Sequence, residues 1–253
     1  MRSSFSFPPP MALTVFARVV LLALVATVGF GAAARAQPGT TVEIIGDSQA
    51  QGLAGALERA FLGNHRVHVL DHSRISTGLA WRAGYDWPRE ARALAAEHNA
   101  NIVIVMFGAN DRPPVRRHGV VDPALLAQFQ EFYADRVRRI IRTFRGAGNE
   151  VIWVGHPVVR NHDYSEDMAY LDLIFASVAA EEGARWVPTW DLFTTPQGGY
   201  TPYGTGIDGM TQRLRADDGV HLTPAGYDVL AERLEKLIVA RHAELTVGSA
   251  AGR

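Results

Sequence analysis

Apolar runs rich in β-branched residues alternate along this chain with longer segments in which apolar residues recur every three or four positions. The runs predict five strands, at 41–45, 66–70, 102–107, 151–154 and 185–187. The longer segments predict five helices, at 48–62, 87–98, 122–146, 165–182 and 223–242. Because parallel strands need helical crossovers, this alternation indicates an α/β fold with a parallel sheet between two layers of helices.

Two stretches stand out from this pattern. Residues 102–107 are continuously apolar, as expected of a strand that is buried on both faces. Residues 194–216 are rich in Gly, Thr, Pro and Tyr and are predicted to form one long loop. A loop of this length inside a compact domain usually carries function or moves.

The composition fits one soluble domain. The chain has 253 residues, of which 47% are hydrophobic and 20% charged, so a single α/β domain can bury a sizeable core. The absence of cysteine excludes disulfides, a cysteine nucleophile and thiolate metal sites. The nine histidines show no His-Glu-x-x-His spacing, and no metal or cofactor is predicted.

The N-terminal segment has the organisation of a secretory signal. Arg2 and Arg18 supply early positive charge, and residues 19–34 are apolar or small. Ala34-Arg35-Ala36 then places small residues at the positions that a signal peptidase reads, before Gln37. The segment therefore predicts export.

We expect a cleaved signal at 1–36 and a single mature domain at 37–253, with a flexible tail from about residue 243. The mature protein would be periplasmic or secreted. An uncleaved membrane anchor is the alternative, and the sequence leaves open whether translation starts at Met1 or Met11.

Removal of the signal takes away three arginines and no acid, so the formal charge changes from −1 to −4. A mildly acidic protein gives no indication of nucleic-acid binding. No later stretch is apolar enough to predict stable membrane insertion. The sequence does not determine the oligomeric state.

A serine and an Asp–His pair are the first candidates for chemistry. Ser48 directly follows Ile45-Gly46-Asp47, where a predicted parallel strand gives way to a helix and where α/β proteins place nucleophiles. Taken alone, such a serine is more often a helix N-cap, and Asp47 is expected to hold the turn. Asp218 and His221 precede the last helix, and a serine nucleophile needs an imidazole base with an orienting carboxylate.

Two further turns follow predicted strands and are expected near the same edge of the sheet. Asn110 lies in Gly108-Ala109-Asn110-Asp111, and its side-chain amide could donate to a developing oxyanion. Gly78 lies in Ser76-Thr77-Gly78-Leu79, and its backbone N–H could enter the same pocket because a residue without Cβ allows close approach. In isolation, the Gly108-Ala109-Asn110-Asp111 motif favours an ordinary strand-ending turn, and Gly78 also fits a loop glycine.

The order of these blocks resembles the SGNH (GDSL-like) hydrolase superfamily, whose four named residues match Ser48, Gly78, Asn110 and His221. The resemblance covers residues 41–240. The surrounding stretches 76–79, 108–112, 153–157 and 213–219 are similar to an exported bacterial subgroup of unknown function. One departure is Gln49, where the family often has Leu, and a side chain so close to the nucleophile is expected to alter the pocket.

The resemblance implies a flavodoxin-like three-layer α/β/α sandwich with a five-stranded parallel sheet. It implies Ser48 as nucleophile, His221 as base and Asp218 as the orienting carboxylate. The oxyanion hole would consist of the Ser48 and Gly78 backbone N–H groups and the Asn110 side chain. No cofactor is implied.

The expected activity is that of a serine esterase which hydrolyses small acyl esters on a carbohydrate or envelope substrate. Two alternatives stay open, namely an O-acyltransferase that passes the acyl group to a polysaccharide, and a non-catalytic glycan-binding module. The polar, Gly-rich segment 194–216 favours small acyl groups over long chains.

Several other side chains are weaker candidates for substrate contact. Five aromatic residues could form a sugar platform or could pack in the core: Trp81, Trp87, Trp190, Tyr200 and Tyr203. Four arginines could recognise an anionic substrate, although solvated surface positions are the simpler expectation: Arg112, Arg160, Arg213 and Arg215.

Overall fold

The computed structural model describes residues 39–80, 84–113, 116–117 and 120–242. The expected signal at 1–36, Trp81 and the expected flexible tail from about 243 lie outside the described residues. In chain order the elements are β1 (Thr40–Gly46), α1 (Ser48–Ala60), β2 (Val67–Asp71), α2 (Trp87–Glu97), β3 (Ile102–Met106), β4 (Arg116–Arg117), β5 (Val120–Val121), α3 (Pro123–Gly146), β6 (Glu150–Val154), α4 (His162–Glu182), β7 (Arg185–Val187), α5 (Trp190–Phe193), β8 (Tyr203–Thr205), β9 (Thr211–Arg213) and α6 (Pro224–Arg241).

Five strands form one parallel sheet in the order β2-β1-β3-β6-β7. The register aligns the carboxyl ends of the central strands, since Gly46 pairs with Met106 and Met106 pairs with Val154. The loops after β1, β2 and β3 therefore leave the sheet side by side. This arrangement confirms the predicted three-layer α/β/α sandwich.

Side chains of the central strands alternate between two cores, because successive residues of a strand point to opposite faces. Ile104 and Met106 lie in the core covered by α1 and α6, whereas Val103, Val105 and Phe107 lie in the core covered by α2, α3 and α4. All are fully buried. The continuous apolar run around β3 thus reflects two covered faces, as its sequence predicts.

Polar caps and prolines set the starts of the long helices. Asp122 directly precedes Pro123, the first residue of α3, and its side chain accepts hydrogen bonds from two backbone N–H groups of the first turn. Thr223 caps α6 in the same way, directly before Pro224. Helix α4 begins three residues before the predicted start at Ser165, because the Asn161 side chain accepts from a backbone N–H of the first turn. None of the described helices combines the length and the apolar character needed to cross a bilayer.

The prediction of one long loop at 194–216 is wrong, because this segment contains the antiparallel hairpin β8–β9. Its turn is closed by a hydrogen bond from Gly206 N to the Met210 carbonyl at 2.8 Å, and the Asp208 side chain accepts from Met210 N at 2.9 Å. Each strand has three residues. A strand of that length shows too little alternation to be recognised from sequence.

Candidate active site

Ser48 is the first residue of α1, directly beyond the carboxyl end of β1. The turn before it needs a glycine, because a Cβ on Gly46 would lie 2.0 Å from the Met106 carbonyl oxygen. Asp47 caps the helix, and its carboxylate accepts from Gln49 N at 2.9 Å. The predicted turn-holding contact of Asp47 is therefore present, and it fixes the backbone on both sides of Ser48.

Ser48, His221 and Asp218 form one hydrogen-bonded line. The Ser48 Oγ lies 2.7 Å from His221 Nε2, and His221 Nδ1 lies 2.5 Å from Asp218 Oδ2. A carboxylate can only accept, so Nδ1 carries the ring proton and Nε2 faces the hydroxyl with a lone pair. The sequence separates Ser48 from His221 by 173 residues. This geometry can remove a proton from the serine hydroxyl.

Asp218 stays ionised in this arrangement. Partial burial by itself raises the pKa of Asp218. The hydrogen bonds from the His221 side chain and from the Val220 and His221 backbone N–H groups outweigh that effect and lower the pKa to about 2. The second carboxylate oxygen accepts those backbone bonds at 2.8 and 2.9 Å. A carboxylate held in this way orients the imidazole and can stabilise its protonated form.

The Asp218–His221 turn is itself held by arginines. Gly219 has a left-handed φ of +73°, and a Cβ there would lie 2.6 Å from the Arg160 Cβ. Arg160 N donates to the Gly219 carbonyl at 2.9 Å, and Arg160 Nη1 donates to the Asp217 carbonyl at 2.9 Å. Arg215 donates to the carbonyl of Val220 at 2.9 Å from within the core. Hydrogen bonds to the Asp217, Gly219 and Val220 carbonyls therefore hold the backbone that carries the acid and the base.

Gly78 and Asn110 lie in two loops that touch each other. Asn110 Nδ2 donates to the Thr77 carbonyl at 2.8 Å. An amide nitrogen carries two hydrogens, so one of them is left for another acceptor. A Cβ on Gly78 would meet the Asp111 carboxylate at 2.1 Å, so only glycine fits there. The loops after β2 and β3 thus bring the predicted oxyanion residues together beside the loop that carries Ser48.

Asp111 directly follows Asn110, and the sequence alone predicts no role for it. Its buried carboxylate accepts from Leu79 N at 2.7 Å, Ala80 N at 2.8 Å and the Tyr133 hydroxyl at 2.8 Å. These bonds order the backbone on the C-terminal side of Gly78. The sequence signal was an acidic residue directly after Asn110, in a turn that Gly108 and Asn110 already explain.

A second carboxylate connects the Ser48 turn to the Asn110 loop. Burial raises the pKa of Asp47 to about 7. The Gln49 N–H opposes this rise, the negative charge of Asp111 adds to it, and the N–H groups of Ala109 and Gly108 oppose it. Asp47 therefore faces the loop after β3 as well as its own helix.

His156 is a second histidine close to this region, but it cannot compete as the base. Its ring is fully buried, and its Nδ1 lies 2.9 Å from the Pro157 carbonyl, which accepts from it. Burial lowers the pKa of His156 to about 3, and the bond to Pro157 opposes that shift only in part. The ring therefore stays neutral and packs beside Gly108.

Two expectations about individual side chains need correction. Arg215 is fully buried, so neither a solvated position nor contact with an anionic substrate fits it. Arg112 and Arg213 are exposed, as expected of solvated surface positions, and they pair with Asp167 at 2.7 Å and with Asp217 respectively. Gln49 points into the core and not into the pocket.

The expected aromatic sugar platform is wrong for Trp87, which is fully buried and donates to the Thr77 hydroxyl at 2.9 Å. Trp190 and Tyr200 are partly buried against the core, and Tyr203 is exposed on the β8–β9 hairpin. Trp81 lies outside the described residues. Core packing therefore explains most of the aromatic residues that can be placed.

Among the described residues, one cluster offers atoms at metal-binding spacing. His162, Asp163 and Glu166 lie near the start of α4, with candidate ligand atoms within 4.8 Å of one another. All three are exposed, and none of them touches Ser48, His221 or Asp218 through a described contact. The Ser48 site is built from other residues.

Comparison with known proteins identifies the family and supports the fold. A protein-family model described as "Protein of unknown function (DUF459)" matches residues 41–237. No curated protein matches the chain. The fold is similar to a carbohydrate acetylesterase family member from Sinorhizobium meliloti, with 18% identity, a TM-score of 0.54 and coverage of 79% of this chain and 98% of the other.

Two further solved structures share the fold. An inhibitor-bound aryl esterase from M. smegmatis has 14% identity and a TM-score of 0.55, with coverage of 80% of this chain and 99% of the other. A GDSL-like lipase from Bacteroides thetaiotaomicron has 13% identity and a TM-score of 0.56, with coverage of 80% and 89%. At these identities the similarity establishes the SGNH hydrolase fold.

Proposed function

Because this chain belongs to the SGNH-like DUF459 family, we propose that it is a serine esterase in which Ser48 is the nucleophile, His221 the base and Asp218 the orienting carboxylate. The observation that carries the proposal is the line of contacts from Ser48 Oγ to His221 Nε2 at 2.7 Å and from His221 Nδ1 to Asp218 at 2.5 Å. Three side chains from two distant segments meet with donors and acceptors in the order that acyl transfer needs.

In the acylation step, His221 Nε2 takes the Ser48 proton while Ser48 Oγ bonds to the ester carbonyl carbon. The carbonyl oxygen becomes an oxyanion and accepts from the Ser48 and Gly78 backbone N–H groups and the free Asn110 amide hydrogen. His221 then gives its proton to the alkoxide oxygen, the carbon–oxygen bond to the alcohol breaks, and the alcohol leaves. Asp218 remains ionised and stabilises the transient imidazolium.

Deacylation repeats the sequence with water. His221 Nε2 takes a proton from water, and the resulting hydroxide bonds to the acyl carbon. Collapse of the second oxyanion releases the carboxylic acid, and the Ser48 oxygen regains its proton from His221. Water can reach the base, because 37% of the His221 side chain and 48% of the Asp218 side chain are exposed.

The proposed substrate is a small acyl ester on a carbohydrate or envelope polymer. The polar, Gly-rich composition of residues 194–216 supports a small acyl group. The solved structure of a carbohydrate acetylesterase family member with the same fold makes a carbohydrate ester a natural first substrate to test. The signal-like segment 1–36 supports action outside the cytoplasm.

Covalent labelling tests the nucleophile. A fluorophosphonate should label the protein at Ser48, and turnover of a short-chain aryl ester should fall by at least about 10³-fold in Ser48→Ala. Ser177→Ala is the matched control, because Ser177 is an exposed serine on α4 and should leave both signals unchanged. Labelling at another residue, or full turnover in folded Ser48→Ala, would contradict the proposal.

Product analysis tests the reaction. With an acetylated oligosaccharide, released acetate should equal the loss of ester groups, whether or not an acceptor glycan is present. Acyl groups found on the acceptor glycan would support the O-acyltransferase alternative instead. A series of aryl esters should show falling kcat/KM beyond short acyl chains, and a preference for long chains would contradict the proposed acyl size.

A further inference from the structure

Gln49 directly follows Ser48 and takes part in none of the proposed catalytic steps. Its side chain is fully buried, yet both ends of the amide are hydrogen-bonded. Gln49 Nε2 donates to the Val220 carbonyl at 2.9 Å, and Gln49 Oε1 accepts from the Tyr227 hydroxyl at 2.8 Å. A buried amide with both ends paired is strongly held in one orientation.

These contacts join the same two segments of the chain as the catalytic hydrogen bond. Gln49 is the neighbour of Ser48, and Val220 is the neighbour of His221, so the bond between them bridges the same two segments as the bond from Ser48 to His221. The Tyr227 hydroxyl also faces the backbone N–H of Leu222, the other neighbour of His221. Gln49 and Tyr227 together therefore hold the residues on both sides of His221.

The packing of α1 on α6 leaves room for this pair. Gly52 lies inside α1, and a Cβ there would lie 2.2 Å from the Tyr227 ring. A glycine in a helix interior costs about 1 kcal/mol relative to alanine, so its presence needs a packing reason. The Tyr227 ring supplies that reason, because it lies against Gly52 while its hydroxyl donates to Gln49.

Burial raises the pKa of Tyr227, so its hydroxyl keeps the proton that it donates to Gln49. The Val220 carbonyl has a second donor in Arg215, at 2.9 Å. Loss of the Gln49 amide would therefore leave that carbonyl paired. What would be lost is the connection between the nucleophile segment and the base segment.

We propose that Gln49 is a positioning residue, which acts through Val220 and Tyr227 to keep His221 at hydrogen-bonding distance from Ser48. The inference rests on the proposed roles of Ser48 and His221. Displacement of a catalytic group by about 1 Å can reduce turnover by about 100-fold. The turn that carries His221 is half-exposed, so it depends on buried anchors of this kind.

Two variants separate positioning from stability. Gln49→Leu removes the amide and leaves the proton of the buried Tyr227 hydroxyl without its acceptor, which should destabilise the protein. The double variant Gln49→Leu with Tyr227→Phe removes both polar side chains, but it also takes the hydroxyl away from the Leu222 N–H, so its midpoint of thermal unfolding should return only part of the way towards that of the wild type. We expect kcat for a short aryl ester to stay about 10- to 100-fold low in both variants, with KM within about twofold of the wild type.

The rate of fluorophosphonate labelling at Ser48 gives a readout that needs no substrate binding, and it should fall by the same factor as kcat. Gln51→Leu is the matched control, because Gln51 lies on the same helix with an exposed side chain. It should keep wild-type kcat and labelling.

A stable double variant with wild-type kcat would overturn the positioning role and leave the esterase proposal standing. Equal losses in Gln51→Leu would also overturn it, because the effect would then not depend on the buried contacts. Failure of the wild-type protein to label at Ser48 would refute the proposed function and the inference with it.

Discussion

Gly78→Ala should damage both stability and turnover, because Gly78 packs directly on a buried carboxylate. The added Cβ would lie 2.1 Å from Asp111 Oδ1, whereas ordinary contact begins at 3.4 Å, so the groups must separate by about 1.3 Å. Asp111 cannot yield easily, because its two oxygens accept from Leu79 N, Ala80 N and the Tyr133 hydroxyl. The loop after β2, which carries the backbone N–H of residue 78, is therefore displaced by the added Cβ.

The size of the effect follows from these contacts. Overpacking in a buried site costs about 1–3 kcal/mol, and weakening one hydrogen bond to a charged group adds about 1.5–3 kcal/mol. Together these terms lower the expected free energy of unfolding by about 2.5–6 kcal/mol. Displacement of one oxyanion donor should lower kcat by about 10²- to 10³-fold.

Denaturant unfolding and turnover of a short aryl ester measure the two effects separately. Gly55→Ala is the matched control, because a Cβ there would find its nearest neighbour, the flexible end of Arg59, at 3.7 Å. That change should stabilise α1 by about 0.5–1 kcal/mol and leave kcat unchanged. Wild-type stability and kcat in Gly78→Ala would refute both the close packing on Asp111 and the oxyanion role of this backbone N–H.

Three further predictions concern other parts of the molecule. Arg215→Lys should lower the free energy of unfolding by about 1.5–3 kcal/mol, because an ammonium cannot reach the Val158 and Val220 carbonyls together, and an unchanged denaturant midpoint would contradict this. Burial raises the pKa of Asp172 to about 8, and the hydrogen bonds from the His156 N–H and the Trp190 side chain reduce this rise only in part. Between about pH 4 and pH 8 the folded chain therefore holds a proton on Asp172 that the unfolded chain has released. Stability should therefore fall as the pH rises from about 4 to about 8, and Asp172→Asn should flatten that slope, whereas an identical slope in the variant would count against the buried acid. Expressed with its N-terminal segment in a Gram-negative host, the protein should have the intact mass of a chain that starts at Gln37, and recovery of a species that retains residues 1–36 would favour the anchor.

The sequence determined the layers and most element boundaries, because strand and helix periods, caps and glycine stops depend on neighbouring residues. All five sheet strands lie where the apolar runs place them, and Asp122-Pro123 and Thr223-Pro224 mark helix starts to the residue. The hairpin in 194–216 was missed because its strands have three residues each.

The meeting of Ser48 with His221 was expected from the resemblance, but only the tertiary structure places the two side chains 2.7 Å apart. The same holds for Arg215, whose charge suggests a surface position, and for Gln49, whose partners lie more than 170 residues away. The Gln49 bonds depend on how α6 packs on α1, whereas Arg215 is buried against the Val158 and Val220 carbonyls of two loops. No local pattern encodes that packing, because its partners come from opposite ends of the domain.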